Sequence, residues 1–342
     1  MKQREFKEPL YLLDEEGRPT NPGWAREDYF QLEPMFITSA RRFFSCIDRY
    51  IIFSPKNIIS FEIHDLGYIG GIWIAVFSLK DKHTLLYNAL FPFTLGSFNM
   101  PSTSTKGSLK VKRKKMLLEF ILIEKKGRII RVDIPQFNHH RSLLGEVVLL
   151  KPPGAESLVT NTLWRDEKQA FSYVRCSPWF ITEGVVQLGT NEIIFTRGNA
   201  WGIFHWLRRV RPRSDIRFWA AACGVNGGRH IALNVGYDSG DSSYGTENAF
   251  FLDGYLHKLE QVTFHLSPSN WLEPWRFTSN NKQLEMVFTP FDKVSEHMRF
   301  LFHIQNRRLL FGDFSGSVVL EDGSEWLFHN ITGVAEYSRT HF

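Results

Sequence analysis

Cysteine is scarce in this 342-residue chain, which carries only Cys46, Cys176 and Cys223. An odd, widely spaced set without a C-x-x-C pair excludes a disulfide framework and a structural zinc ribbon. Long apolar runs are missing as well. The best of them, "IGGIWIAVF" from Ile69 to Phe77, falls far short of the roughly 20 residues that a membrane-crossing helix needs. The opening residues, "MKQREFKEPLYLLDEEG", meet a charge every few positions and hold no signal-type apolar core. The expectation is a cytoplasmic chain without integral membrane association. Neither sign of charge dominates: 41 Lys and Arg face 36 Asp and Glu, a net +5 that is too small for this length to predict a nucleic-acid partner. The twelve His are scattered, without H-E-x-x-H or facial-triad spacing. No metal and no cofactor is expected.

Aromatics are plentiful instead. They make up 15% of the chain, with thirty Phe and ten Trp, and such residues favour strands and fill wide interiors. After a polar lead-in over residues 1–45, short apolar runs recur, each bounded by Gly, Pro, Asn, Asp or a charge pair. In "KMLLEFILIEKKGRIIRVDI" the break at Lys125-Lys126-Gly127 separates two β-branched segments and predicts a hairpin. The same rhythm continues through "RHIALNVGY", "AFFLDGYLHKL" and "RLLFGDFSGSVVL". Only Pro34–Arg49 and Trp201–Arg209 suggest short helices. Many strands with few helices predict an all-β fold of two antiparallel barrels or barrel-like sandwiches. The expected division is 46–205 for the first unit and 206–342 for the second.

Two stretches could carry chemistry. "GYDSGDSSYGTEN" (Gly236–Asn248) lacks the Lys and spacing of a P-loop, the G-x-S-x-G of a nucleophile elbow and the ligand spacing of a calcium loop. It reads as a loop between two strands, with Asp241, Tyr244, Glu247 and Asn248 candidates to face a barrel mouth. "AWGIFHWLRRVRPRSDIRFW" (Ala200–Trp219) gathers three Trp, five Arg and His205. Its arginines could bind an anion bidentately, and burial would move His205 into a useful acid–base range. Among carboxylates, Asp253 precedes Gly254 as in a turn, and Glu183 before Gly184 and Glu336 in "GVAEYS" would each have a raised pKa if buried and could donate a proton. The basic run from Lys106 to Lys115 has no interleaved aromatics and reads as edge-strand protection.

The blocks "FSYVRCSPWFITEGVVQLG", "FTRGNAWGIFHWLRRVRP", "GTENAFFLDGYLHKLEQVTFHL" and "LFGDFSGSVVLEDGSEWLFHNITGVAEY", in that order, resemble an uncharacterised bacterial family catalogued as domain of unknown function 2804. "EEGRPTNPGWAR" and "LGSFNMPSTSTKGSL" resemble its earlier blocks. That family is in turn distantly similar to calycin-like proteins with two tandem barrels, including carotenoid hydratases. The resemblance implies two lipocalin-like barrels with a cavity in or between them. Over "GIFHWLRR" this chain departs from the calycin-like pattern, which would put an acidic residue where His205 stands.

Three functions follow as expectations. The first is binding of an apolar or amphipathic small molecule in a β-barrel cavity, with Trp201, Trp206, Trp219, Tyr244, Asn248 and Phe250 lining it and Arg276 or Glu247 orienting a polar end. The second is a cofactor-free hydratase, isomerase or cyclase acting on an isoprenoid-like or polyketide-like substrate, with Glu247 or Asp253 as proton donor and His205 as partner or base. The third is an interaction scaffold using the basic face.

Overall fold

The structure, a computed structural model, describes residues 3–37, 43–138, 140–301 and 303–341. Four short strands open it: β1 (Glu5–Phe6), β2 (Leu10–Tyr11), β3 (Gly23–Ala25) and β4 (Phe30–Gln31). The next twelve are β5 (Phe44–Phe53), β6 (Asn57–Asp65), β7 (Ile69–Ser78), β8 (His83–Pro92), β9 (Leu109–Arg113), β10 (Met116–Ile123), β11 (Gly127–Asn138), β12 (Arg141–Leu150), β13 (Leu158–Leu163), β14 (Phe171–Leu188), β15 (Asn191–Phe195) and β16 (Trp201–Val210). The last nine are β17 (Ser214–Asn226), β18 (Arg229–Tyr237), β19 (Ala249–Leu252), β20 (Tyr255–Lys258), β21 (Val262–His265), β22 (Trp275–Ser279), β23 (Leu284–Phe300), β24 (His303–Val319) and β25 (Glu325–His341).

Two sheets take almost all of these strands. The first runs β8-β7-β6-β5-β16-β14-β12-β11-β10-β9, with β1, β3, β13 and β15 attached, and the second runs β20-β19-β18-β17-β25-β24-β23-β22-β21. The fold is therefore all-β, with two curled antiparallel sheets in tandem. Curling shows in side chains that meet across the ends of the first sheet: Tyr87 on β8 stacks on Phe137 of β11 at 5.8 Å, and its hydroxyl lies 3.0 Å from the Met116 sulfur on β10. The change of sheet falls at residues 211–213, whereas residue 205 lies within β16.

The two-residue repeat of a strand sorts side chains into three layers. On β5 and β16, even positions such as Tyr50, Ile52, Phe204 and Trp206 fill the interior of the first barrel. On β17, β24 and β25, Ala220, Ala222, Leu310 and Ala335 join Phe250, Trp275, Phe277, Phe288 and Phe314 inside the second. The opposite faces pack against each other. Ile51, Phe53, Trp201 and Ile203 meet Ala221, Cys223, Leu309, Phe311 and Val334 in a third core between the sheets. Across it Phe77 stacks on Phe311 at 4.9 Å, a contact of about 0.5–1.5 kcal/mol beyond the area it buries.

This layering explains two corrections. Trp201–Arg209 is a strand and not a helix, because β16 is covered on both faces and every residue of it is buried. Its apolar pattern then lacks the polar alternation that marks a half-exposed strand. Of the helix expected over Pro34–Arg49, only Pro34–Phe36 forms one 3-10 turn; residues 38–42 lie outside the described residues, and β5 begins at Phe44. The hairpin at Lys125–Gly127 forms as β10 and β11, which pair from Leu117↔Asp133 to Ile123↔Gly127. Gly236–Asn248 spans the connection from the end of β18 to β19.

Candidate functional site between the two sheets

The inter-sheet layer is apolar at one end and polar at the other. At the polar end it opens into a cavity of about 420 Å³. β5 contributes Ile47 and Arg49, β6 Glu62 and His64, β16 His205 and Leu207, β17 Arg217 and Trp219, β24 Arg307 and β25 Glu336. All of these are on the outer faces of the barrel walls, so the cavity lies between the barrels.

Its floor is a closed ring of charges. Glu62 accepts from Arg49 at 2.6 Å and from Arg307 at 3.0 Å, and Glu336 accepts from the same two guanidiniums at 3.0 and 2.9 Å. All four side chains are less than a tenth exposed. Two cations and two anions balance, which makes burial of the group tolerable. Burial alone would raise the Glu62 carboxyl, but Arg307, Arg49 and the bond from His64 outweigh it and hold the group well below its ordinary range. Glu336 is lowered in the same way against burial, by Arg307 and Arg49. The raised pKa expected for a buried Glu336 is thereby corrected, because two arginines face it.

His64 stands two residues from Glu62 on the same strand face, and its Nδ1 lies 3.1 Å from Glu62 Oε1. An ionised carboxylate only accepts, so Nδ1 carries a proton. Nε2 has no hydrogen-bond partner among the described residues. Gly71 on the neighbouring strand makes room for the ring: a Cβ there would sit 2.8 Å from His64 Nε2 and 2.7 Å from the Ala89 carbonyl.

On β16 of the same sheet the His205 ring lies 4.6 Å from Trp219 of the facing sheet, and its Nε2 is 3.4 Å from an Arg217 nitrogen. Arginine only donates, so this Nε2 is an acceptor and the proton sits on Nδ1, which is buried without a partner among the described residues. Burial, then Arg217 and Arg49, push His205 well below 6.5, so the ring is neutral. Arg217 is itself clamped by Glu247 at 2.8 and 2.6 Å. Trp219 donates to Asn234 at 2.8 Å, which fixes the indole plane.

The structure thus brings His205 and Trp219 to the cavity, with Glu247 one layer behind through Arg217. Trp201 packs in the apolar inter-sheet core, 4.5 Å from the His230 ring. Trp206 and Phe250 point into the first and second barrel interiors. Asn248 accepts from the Gly236 amide at 2.8 Å and donates to the Glu260 carbonyl at 2.7 Å, closing the long loop. Tyr244 is on the exposed part of that loop. Asp253 holds a left-handed turn at φ 49°, accepts from the His230 amide at 2.8 Å and pairs with Arg229. Arg276 is exposed and pairs with Glu285 at 3.2 Å. None of these seven candidates, Trp201, Trp206, Phe250, Asn248, Tyr244, Asp253 and Arg276, lines the cavity. Sequence reasoning missed Glu62, His64, Arg49 and Arg307. The available signal was "SFEIHD" in β6, where two ionisable residues alternate with apolar ones in a strand that is otherwise buried.

The fold defines an all-β protein of two tandem barrel-like units with a polar cavity between them. The chain belongs to the family described as domain of unknown function (DUF2804), whose model matches residues 3–342. No curated protein matches it. Among solved structures it is similar to CghA, at 8% identity, with 97% of this chain and 96% of that one covered and a TM-score of 0.47. Kievitone hydratase from Nectria haematococca is similar at 8% identity over 87% and 88% of the two chains, with a TM-score of 0.44. Among the described residues, no helix is long and apolar enough to cross a membrane, and no group of three or more His, Cys, Asp or Glu could hold a metal ion.

Proposed function

We propose that the protein binds an amphipathic small molecule in the cavity between its two sheets. The observation that carries this reading is the mixed lining of the cavity wall. Arg49, Arg307, Glu62 and Glu336 offer donors and acceptors, and Trp73, Trp219, Ile47, Leu66 and Leu207 offer apolar surface beside them. The two kinds of group are in contact: Arg307 lies over the Trp73 ring at 4.2 Å and Arg49 over the Trp219 ring at 5.3 Å. A concavity that joins apolar surface to placed polar groups suits a small molecule with oxygen functions on a carbon body. Purified protein, denatured and extracted, is expected to release a stoichiometric small molecule detectable by mass spectrometry. The variant Trp219→Ala should release less than a tenth of that amount. Equal recovery from both proteins, or an apolar ligand without oxygen, would count against the proposal.

A second reading, acid–base conversion of that ligand, rests on one specific observation, the His64–Glu62 pair. Glu62, kept ionised by two arginines, accepts from His64 Nδ1 and so orients the ring, the kind of support a general base acting through Nε2 needs. Hydration or isomerisation would pass a proton through Nε2. Incubation of the retained molecule with protein in D2O should place deuterium at carbon, and His64→Gln should stop that exchange while retaining the molecule. Exchange that continues in the variant removes His64 from the chemistry.

A further inference from the structure

A second concavity, of about 510 Å³, lies at the mouth of the first barrel and shares no residue with the site above. Three separate stretches build it. "PSTSTKGS" supplies Ser104, Thr105 and Lys106; the β10–β11 hairpin supplies Lys125, Lys126 and Arg128; β14 supplies Arg175 and Ser177. Lys151 completes a set of six cations, against which the lining holds one carboxylate, the exposed Glu124.

The cations are placed rather than scattered. Arg175 is buried and donates to three serine hydroxyls, Ser104 at 2.8 Å, Ser157 at 3.0 Å and Ser177 at 3.0 Å. These are neutral acceptors. The one carboxylate within ion-pair distance, Asp28 at 3.6 Å, also accepts from Ser104 at 2.7 Å and Thr103 at 3.2 Å, and from Tyr173. Arg128 donates to the Tyr50 hydroxyl at 2.9 Å and lies over the Phe204 ring at 5.3 Å. The Lys151 ammonium is half-buried, and burial together with Arg175 lowers its pKa against the opposing attraction of Glu27. A half-buried ammonium beside a buried guanidinium costs free energy unless an anion joins them. Phe180, Phe204, Leu122 and Ile123 supply an apolar wall behind these charges.

We propose that the mouth of the first barrel is a second binding site, for an amphipathic organic anion whose carboxylate or phosphate sits among Lys151, Arg128 and Arg175 and whose apolar end meets Phe180 and Phe204. It is independent of the inter-sheet reading, because no lining residue is shared. The hairpin lysines Lys125 and Lys126 form its exposed rim and attract the anion from solution, a contribution that salt screens.

Calorimetric titration of the full chain with dodecanoate, dodecyl phosphate and dodecanol, each below its aggregation threshold, tests the site. Both anions should bind, the tighter of the two identifying the preferred head group, while dodecanol should bind at least tenfold more weakly. Lys151→Met, which keeps the length of the side chain, should weaken the anions about tenfold, the value of one charge-assisted contact. The double variant Lys125→Gln, Lys126→Gln, altered only at exposed positions, should lower affinity severalfold at low salt and much less at high salt. Dodecanol binding as tightly as the anions, or anion affinity unchanged in both variants, would overturn the proposal.

Discussion

Replacing Glu62 by Gln tests whether the ring of charges holds the two sheets together. Glu62 sits on the first sheet and accepts from Arg49 of the same sheet and from Arg307 of the second. Gln keeps one carbonyl oxygen as acceptor but removes the negative charge. Arg49 and Arg307 then share Glu336, with Glu296 at 4.0 Å from Arg307 as the remaining carboxylate, and the buried cluster has lost one negative charge. Removal of one partner from a buried ion pair costs about 3–5 kcal/mol, and the retained acceptor places Glu62→Gln near the lower end, at about 3 kcal/mol. That is a large part of the roughly 5–15 kcal/mol by which folded domains are stable. The pH dependence provides a second readout. Glu62 and Glu336 have folded pKa values below the ordinary 4.5, so the unfolded chain binds their protons more tightly. Their stabilisation is present above about pH 4.5 and is lost as pH falls through that range towards the folded values. Urea titrations at pH 7 should therefore show the full deficit of the variant, and titrations at pH 3.5 a smaller one. A deficit below about 1 kcal/mol at pH 7, or one that grows on acidification, would refute the reasoning.

Gly71→Ala should destabilise the protein and weaken retention of the cavity ligand, because its Cβ would press on both His64 and the Ala89 carbonyl; unchanged melting and unchanged ligand recovery would show that the ring has room. Nitrogen-resolved NMR should find His205 neutral at pH 6.5, in keeping with a pKa held well below that value; half-protonation at pH 6.5 would show that water reaches it. Asp238→Asn should raise the melting temperature at pH 7. Burial, Asp215 and Glu247 push this carboxyl up to about 6, so its ionisation opposes folding as pH rises from about 4 towards 6. The gain should vanish by pH 4, and a gain independent of pH would have another cause. The three buried thiols should resist a thiol reagent in the folded protein and all react in denaturant, since burial pushes Cys46 and Cys223 up to about 12 and Cys176 well above its usual value; fast labelling of the native state would show local opening.

The strand class and the Lys125–Gly127 hairpin were legible in the sequence because turn residues interrupt β-branched runs at short range. What was not legible is the parity of strands that are covered twice. Trp201 and Trp206 stand on one strand, yet odd positions face the other sheet and even positions the barrel interior. Nothing in "WGIFHWLRR" distinguishes the two faces, because both are dry. The charge ring was hidden for a different reason. Arg307 meets Glu62 across 245 positions, and long-range pairing leaves no local trace. Arg276 and Asp253 illustrate the converse: each has a nearby partner, Glu285 and Arg229, and so needs no distant site to explain its charge.

The cavity is walled by the backs of two separately filled barrels. A slide of one sheet over the other would change the cavity's volume while leaving both barrel interiors packed. A ligand held there would touch both halves, so its binding would be linked to their cohesion: a change that tightens the seam between the sheets would tighten binding, and a change that loosens the seam would weaken it.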